Sequence, residues 1–252
     1  MSSTPRFFIS KSEFNGDTVN ITGTDAGHIC KVLRLRAGDE ITVCDMQRNL
    51  YDGVLTFVSN DTVTATVSNC RPSPAEPPYK ITLYQGMPKG DKLDTIVQKA
   101  VELGATAIVP VMCERAVSRP DAKSMEKKLV RLNRIAAEAA KQCGRGTVPE
   151  VENMISFDKM LEKLCCADLH FICYEGDGTV HCSKIISEKA GNFTEAAFYI
   201  GPEGGISAGE IEAAKNKNIP LAGLGKRILR TETAPLFVLS ALSVLAENRD
   251  FN

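Results

Sequence analysis

Apolar and polar positions alternate differently in the two parts of this chain. Up to residue 71 the runs are short and strand-like: Thr18–Ile21, Glu40–Cys44, Gly53–Val58 and Thr62–Val67. Their spacing is that of a small barrel or sandwich, with room in Asp25–Leu33 for one or two helical turns. Beyond residue 78 the period changes. Strands are predicted at Ile81–Gln85, Ala107–Met112, Leu169–Tyr174, a run ending at Ile200, and Leu221–Leu224. Between them lie predicted helices at Lys92–Leu103, closed by Gly104, at Ser124–Cys143, near Phe157–Leu164, from about Ala208, and after Ala234. Strands alternating with helices imply an α/β domain built on a parallel sheet.

Between the two textures, Arg71–Pro78 carries four of the twelve prolines, which disfavours ladder backbone and reads as a semi-rigid linker. The expected organisation is a small β domain over 1–71, a linker over 72–78 and an α/β domain over 79–252. The helix Ser124–Cys143 has two faces. Met125, Leu129, Leu132, Ala136, Ala139 and Cys143 form an apolar stripe, and Lys127, Arg131, Arg134, Glu138, Lys141 and Arg145 a mostly basic one.

Charge sharpens that second stripe. The formal net charge is −1, so a nucleic-acid partner has to be met by a local patch. From Arg115 to Arg145 there are nine basic residues, Arg115 and Arg119 among them, against three acidic ones. This tilts the reading toward RNA or DNA, with a merely solvated face as the plainer account. A hydrophobic share of 43% is that of an ordinary globular protein. No apolar run reaches membrane length, Ala234–Ala246 being too short, and Met1–Arg6 lacks a secretory layout; a cytoplasmic protein is expected. The nine cysteines include no CxxC pair, so reduced thiols and no metal are expected.

Two strings hold the candidate chemistry. Gly201-Pro202-Glu203-Gly204-Gly205 follows a predicted strand and precedes Ser207-Ala208-Gly209-Glu210, a capping box. Glycines in such a turn let backbone groups approach a ligand, at the end of a strand where open α/β sheets bind small molecules. Leu224-Gly225-Lys226-Arg227-Ile228-Leu229-Arg230-Thr231-Glu232-Thr233-Ala234 mixes apolar and charged residues before an apolar helix. Together they read as two walls of one pocket. A ligand-free turn and a solvated helix entry are the plainer alternatives. Neither GxGxxG nor a P-loop occurs, which argues against an ordinary nucleotide-binding enzyme. Glu102 sits unfavourably near a helix end, where a functional role or pairing with Lys99 would explain it. In the β domain, Arg6-Phe7-Phe8 and the stretch His28–Arg36, with Lys31 and Arg34, combine aromatic and basic character suited to unpaired RNA.

These residues together resemble the SPOUT methyltransferases, specifically the bacterial 16S ribosomal RNA (uridine-N3) methyltransferase family. The likeness spans nearly the whole chain. It also rests on Lys89-Gly90-Asp91-Lys92, Gln98–Gly104 and Glu138–Arg145, with Cys143 where relatives usually have serine. The resemblance implies a PUA-like β-barrel before a parallel-sheet domain with a deep trefoil knot. It implies a homodimer through the C-terminal domain, S-adenosylmethionine as cofactor, and 16S rRNA or the small ribosomal subunit as partner, near the decoding region. By that analogy Tyr174, Glu175, Ile200, Gly201, Pro202, Glu203, Gly204, Gly205, Leu224, Gly225, Ile228, Leu229, Arg230, Thr233 and Ala234 line the cofactor pocket. Arg6, His28, Lys31, Arg34, Arg115, Arg119, Arg131, Arg134, Gln142 and Arg145 face RNA. For catalysis Arg230 or Arg145 would stabilise a uracil anion, while Glu102, Glu203 or Glu232 would take a proton or orient an arginine. A non-catalytic RNA-binding assembly factor on the same fold is the rival reading.

Overall fold

The computed structural model describes residues 4–189 and 192–247. The chain divides into two compact units, Met1–Glu76 with Ala140–Val148, and Pro77–Ala139 with Pro149–Asn252.

In the first unit the strands are β1 (Arg6–Phe8), β2 (Phe14–Asn15), β3 (Thr18–Thr22), β4 (Glu40–Cys44), β5 (Asn49–Val58) and β6 (Thr62–Pro72). They form one curled sheet in the order β1-β4-β5-β6-β3-β2, parallel only between β1 and β4. The alternation read from the sequence is the cause: Val19, Ile21, Ile41, Val43, Val63, Ala65 and Val67 all point into one core. After β3 comes α1 (Gly23–Gly27), which runs on as a wider π-turn over His28–Leu33 and stops at Arg34, in the left-handed region at φ 55°. That turn buries Ile29 and leaves Lys31, Val32, Leu33 and Arg34 exposed. The proline-rich stretch begins inside β6, where Pro72 stands opposite Asn49.

The second unit contains β7 (Lys80–Gly86), α2 (Lys92–Glu102), β8 (Ala107–Met112), α3 (Ala122–Cys143, whose last residues belong to the first unit), β9 (Glu150–Val151), β10 (Ile155–Ser156) and α4 (Phe157–Leu164). It continues with β11 (Leu169–Cys173), β12 (Val180–His181), α5 (Cys182–Lys189), β13 (Glu195–Ile200), α6 (Ala208–Asn216), β14 (Leu221–Gly223) and α7 (Ala234–Leu242). All pairings in its sheet are parallel, in the order β10-β8-β7-β13-β11-β14-β12, with β9 also on β8. The central strands are buried along nearly their whole length, as continuous apolar runs require when both faces are covered. From β7 the chain moves outward to β8, whereas β13 later inserts on the other side of β7. The carboxyl ends of β7 and β13 therefore meet where the strand order reverses, the place where such sheets bind ligands. Among the described residues no helix is long and apolar enough to cross a membrane.

Candidate functional site

Two local structures shape the turn after β13. The capping box is present: Ser207 Oγ accepts from the Glu210 N–H at 3.2 Å, and Glu210 Oε2 accepts from the Ser207 N–H at 3.0 Å. Glu210 Oε1 also accepts from the Glu114 N–H at 2.8 Å, anchoring the turn to the segment after β8. Gly205 has φ +71°, and a Cβ there would stand 2.9 Å from Glu175 Oε1, so the position requires glycine. The turn after β14 passes through Gly225 and enters α7 with proline in its first turn.

A buried polar clamp joins these turns. Thr231 Oγ1 donates to the Gly201 carbonyl at 2.8 Å and accepts from Gln85 Nε2 at 3.0 Å. Gln85, at the end of β7, also donates to the Gly86 carbonyl at 3.1 Å. Gly86 in turn is pressed against Pro202, whose Cδ would lie 2.7 Å from a Cβ there. The ends of β7 and β13 and the turn before α7 are thus stitched together away from water, where each hydrogen bond is costly to lose.

Around this clamp lies a cavity of about 440 Å³. Its walls come from Cys173 at the end of β11 with Tyr174 and Glu175 after it, Ile200 to Ile206 without Gly204, and Gly223 to Thr231 with Ala234. Thr179 and Lys92 complete it. Lys92, the first residue of α2, reaches Glu203 at 2.8 Å and Glu232 at 3.3 Å, tying that helix to both turns. Its pKa is raised, first by the hydrogen bond to Glu203. Burial pushes the Glu203 carboxyl up, but Lys92 and the backbone N–H groups of Glu203 and Lys89 outweigh it, so the net shift is downward. The Lys92–Glu203 pair is therefore ionised at neutral pH.

The two sequence strings do line one cavity, which includes every expected pocket residue except Gly204 and Thr233. Gly204 instead packs on the Arg115 carbonyl, 2.9 Å from where its Cβ would be. Arg230 stands at the rim, and Glu232 is held by Lys92 beside it. Glu102 is not among the lining residues; Lys99 pairs with it at 2.8 Å. Arg145 belongs to the first unit, buried against Glu76 at 2.8 Å. Arg6 donates to the Gly144 and Arg145 carbonyls. His28, Lys31, Arg34 and Gln142 are exposed. Arg115 donates to the Gly204 carbonyl, Arg119 to the Cys113, Glu114 and Ala116 carbonyls, and Arg131 and Arg134 pair with carboxylates. Lys92, Cys173, Thr179, Ile206 and Gly223 line the cavity without having been expected there, and Lys226, Arg227 and Thr231 line it as well. For Lys226, Arg227 and Thr231 the signal was their place inside the second string; Gln85 left none, being one polar residue at the end of an apolar strand.

A family profile described as an RNA methyltransferase domain matches residues 75–243, and one described as an RNA methyltransferase PUA domain matches residues 21–68. The chain is 37% identical over 233 residues to a Bacillus subtilis protein named ribosomal RNA small subunit methyltransferase E, covering 91% of each. It is 31% identical over 247 residues to the protein of that name from Synechocystis, covering 96% of this chain and 78% of the relative. Among solved structures, the ribosomal RNA small subunit methyltransferase E of Neisseria gonorrhoeae, bound to S-adenosyl methionine, superposes with a TM-score of 0.85 at 32% identity, covering 97% of this chain and 98% of that one.

Proposed function

The chain belongs to the RNA methyltransferase family, and from that premise we propose that it methylates N3 of a uridine in 16S ribosomal RNA near the decoding region, using S-adenosylmethionine. The observation that carries this reading is the single cavity at the carboxyl ends of β13, β11 and β14, built from both glycine-bearing turns. Its residues fit an adenosine. Backbone at Gly201, Gly205 and Gly225 is open to the edges of a purine, while Ile200, Leu224, Leu229 and Ala234 offer apolar contact to its faces. The volume lies within the range of about 300–1,000 Å³ usual for small-molecule pockets.

When bound, S-adenosylmethionine supplies a methyl group on a positively charged sulfur. The chain's own side chains supply the rest. Uridine N3 carries a proton and is a poor nucleophile until that proton leaves. Arg230, exposed at the rim with Lys226 and Arg227 close by in the same turn, is assigned the stabilisation of a uracil anion, electrostatic stabilisation of developing charge being the larger share of such catalysis. Glu232, fixed by Lys92, is the carboxylate that takes the proton or orients Arg230. The buried Glu76–Arg145 pair and the Lys99–Glu102 pair support the frame instead. The first unit, with its exposed Lys31 and Arg34, holds RNA. The reading also includes a knotted cofactor domain, a cytoplasmic setting and a homodimer, the last supported by Ile228 at 85% and Phe237 at 37% exposure on the second unit.

The test is incubation of the protein with labelled S-adenosylmethionine and either deproteinised 16S RNA or partly assembled small subunits, followed by nucleoside analysis. N3-methyluridine is the expected product, and absence of methyl incorporation into any uridine ends the reading. RNA binding with no cofactor affinity in calorimetry identifies a non-catalytic assembly factor instead.

A further inference from the structure

The basic stripe along α3 is not uniform. Arg131 is held by Asp91 and Asp94, Arg134 lies 3.9 Å from Glu138, Lys141 lies 2.8 Å from Asp25, and Arg145 is buried against Glu76. Those cations are balanced by carboxylates and project little net field. The N-terminal end differs. Among the described residues Lys123, Lys127 and Lys128 pair with no carboxylate, and the first two are exposed. Lys127 and Lys128 line an open groove of about 480 Å³ with Arg119, Arg131, Ser118 and Ser124.

The groove is prepared for anions. The Arg119 guanidinium is fixed by the carbonyls of Cys113, Glu114 and Ala116 at 3.5, 2.6 and 3.3 Å, so its charge is oriented without being neutralised. Asp121 is engaged as a cap on the Ser124 N–H at 2.7 Å, and Glu126, beside Lys127 in sequence, does not line the groove. Lys123, Lys127 and Arg131 follow each other at four-residue intervals, about one helical turn apart. The lining has no aromatic residue and no glycine cradle, so it offers charge and hydroxyls rather than base stacking or a nucleotide pocket. Its openness suits a chain passing through it.

We propose that this groove carries the phosphodiester backbone of the substrate RNA, with Lys127 and Lys128 each meeting one phosphate. The proposal rests on the RNA-methyltransferase reading and adds where, outside the cofactor cavity, the substrate is gripped. Phosphate contacts of this kind position RNA without reading its sequence.

The experiment compares the full-length protein with the double variant Lys127→Ala/Lys128→Ala, and with a charge-matched control, Lys163→Ala/Lys184→Ala, whose lysines pair with Glu152 and Glu188. The affinity of each for deproteinised 16S RNA is measured from 50 to 200 mM KCl. Loss of two phosphate contacts lowers the slope of log affinity against log salt by about 1.4, at about 0.7 per phosphate for single strands. Binding at low salt should weaken about tenfold, the KM for RNA should rise and kcat should hold. The control and the affinity of every variant for S-adenosylmethionine should stay at wild-type values. A double variant with wild-type slope and affinity overturns the groove while leaving the methyltransferase reading intact. Unaltered RNA binding with lost methylation of assembled subunits also overturns it, since the partner is then a protein surface. A wild-type protein that neither binds nor methylates RNA brings down both.

Discussion

Glu76 and Arg145 show how much a single pair can decide. Both side chains are 3% exposed; Glu76 Oε1 accepts from Arg145 Nε at 2.8 Å and the Gly146 N–H at 2.7 Å, and Oε2 accepts from Arg145 Nη2 at 3.0 Å and Thr147 Oγ1 at 3.2 Å. Glu76→Ala would leave a buried guanidinium without its counter-charge, a loss of about 3–5 kcal/mol that urea unfolding at pH 7 will register. Burial pushes the Glu76 carboxyl up, but Arg145 and the Gly146 and Thr147 N–H groups more than offset it, and the pKa is lowered from 4.5. A lowered folded-state pKa means stability that is complete above pH 4.5 and disappears as pH falls through the folded value. Glu76→Gln should therefore flatten the acid limb of the stability curve below that pH; an unchanged limb would show that other carboxylates control it. None of this was legible, because Glu76 lies among prolines and its partner is 69 residues away with no local spacing to connect them. Thr231 is the second decisive residue. Thr231→Val keeps the volume but leaves Gln85 Nε2 and the Gly201 carbonyl each short of a buried partner, at about 1–3 kcal/mol per group. Cofactor affinity measured by calorimetry should fall about tenfold, and wild-type affinity would mean the turns hold their shape without the clamp.

At the scale of elements, what the sequence revealed depended on length and on local chemistry. β8 and α4 lie where their apolar patterns put them, and the Ser207–Glu210 capping box was legible because both partners sit three residues apart. β9, β10 and β12 are two residues each, too short for any period, and their existence depends on neighbours already in place. The π-turn at His28–Leu33 was equally invisible, since one extra residue in a helical turn leaves the apolar spacing almost unchanged. The cap also yields a prediction. Ser207→Ala removes the acceptor for the Glu210 N–H and should lower stability by about 1 kcal/mol in thermal unfolding. Because Glu210 also holds the Glu114 N–H, the same variant should loosen the glycine turn and weaken cofactor binding. A stability loss with full cofactor affinity would separate the cap from the cavity.

For the whole molecule, the change in texture near residue 78 separates two kinds of spacing along the sequence, and nothing in it shows that Ala140–Val148 returns to the first unit. The apolar stripe of α3 continues through Ala139 to Cys143 with unbroken spacing, so nothing in the pattern marks where its neighbours change. Periodicity reports that a face is buried and is silent about what buries it. The same silence covers the exterior, where Phe237 on α7 leaves 37% of its surface uncovered in the isolated chain. A dimer that covers it removes apolar area from water, at about 25 cal/mol per Å². Sedimentation velocity at about 10 μM, a concentration at which interfaces of ordinary size are occupied, should give twice the 27.3 kDa chain mass. Phe237→Glu puts a charge where the partner would pack, and should shift the protein to the chain mass while leaving its far-UV circular dichroism unchanged. If the cavity is completed near that contact, cofactor affinity will fall in step with dimer loss. A wild-type protein that sediments as a single chain would refute the dimer, and a monomeric variant with full affinity would place the cavity wholly within one subunit.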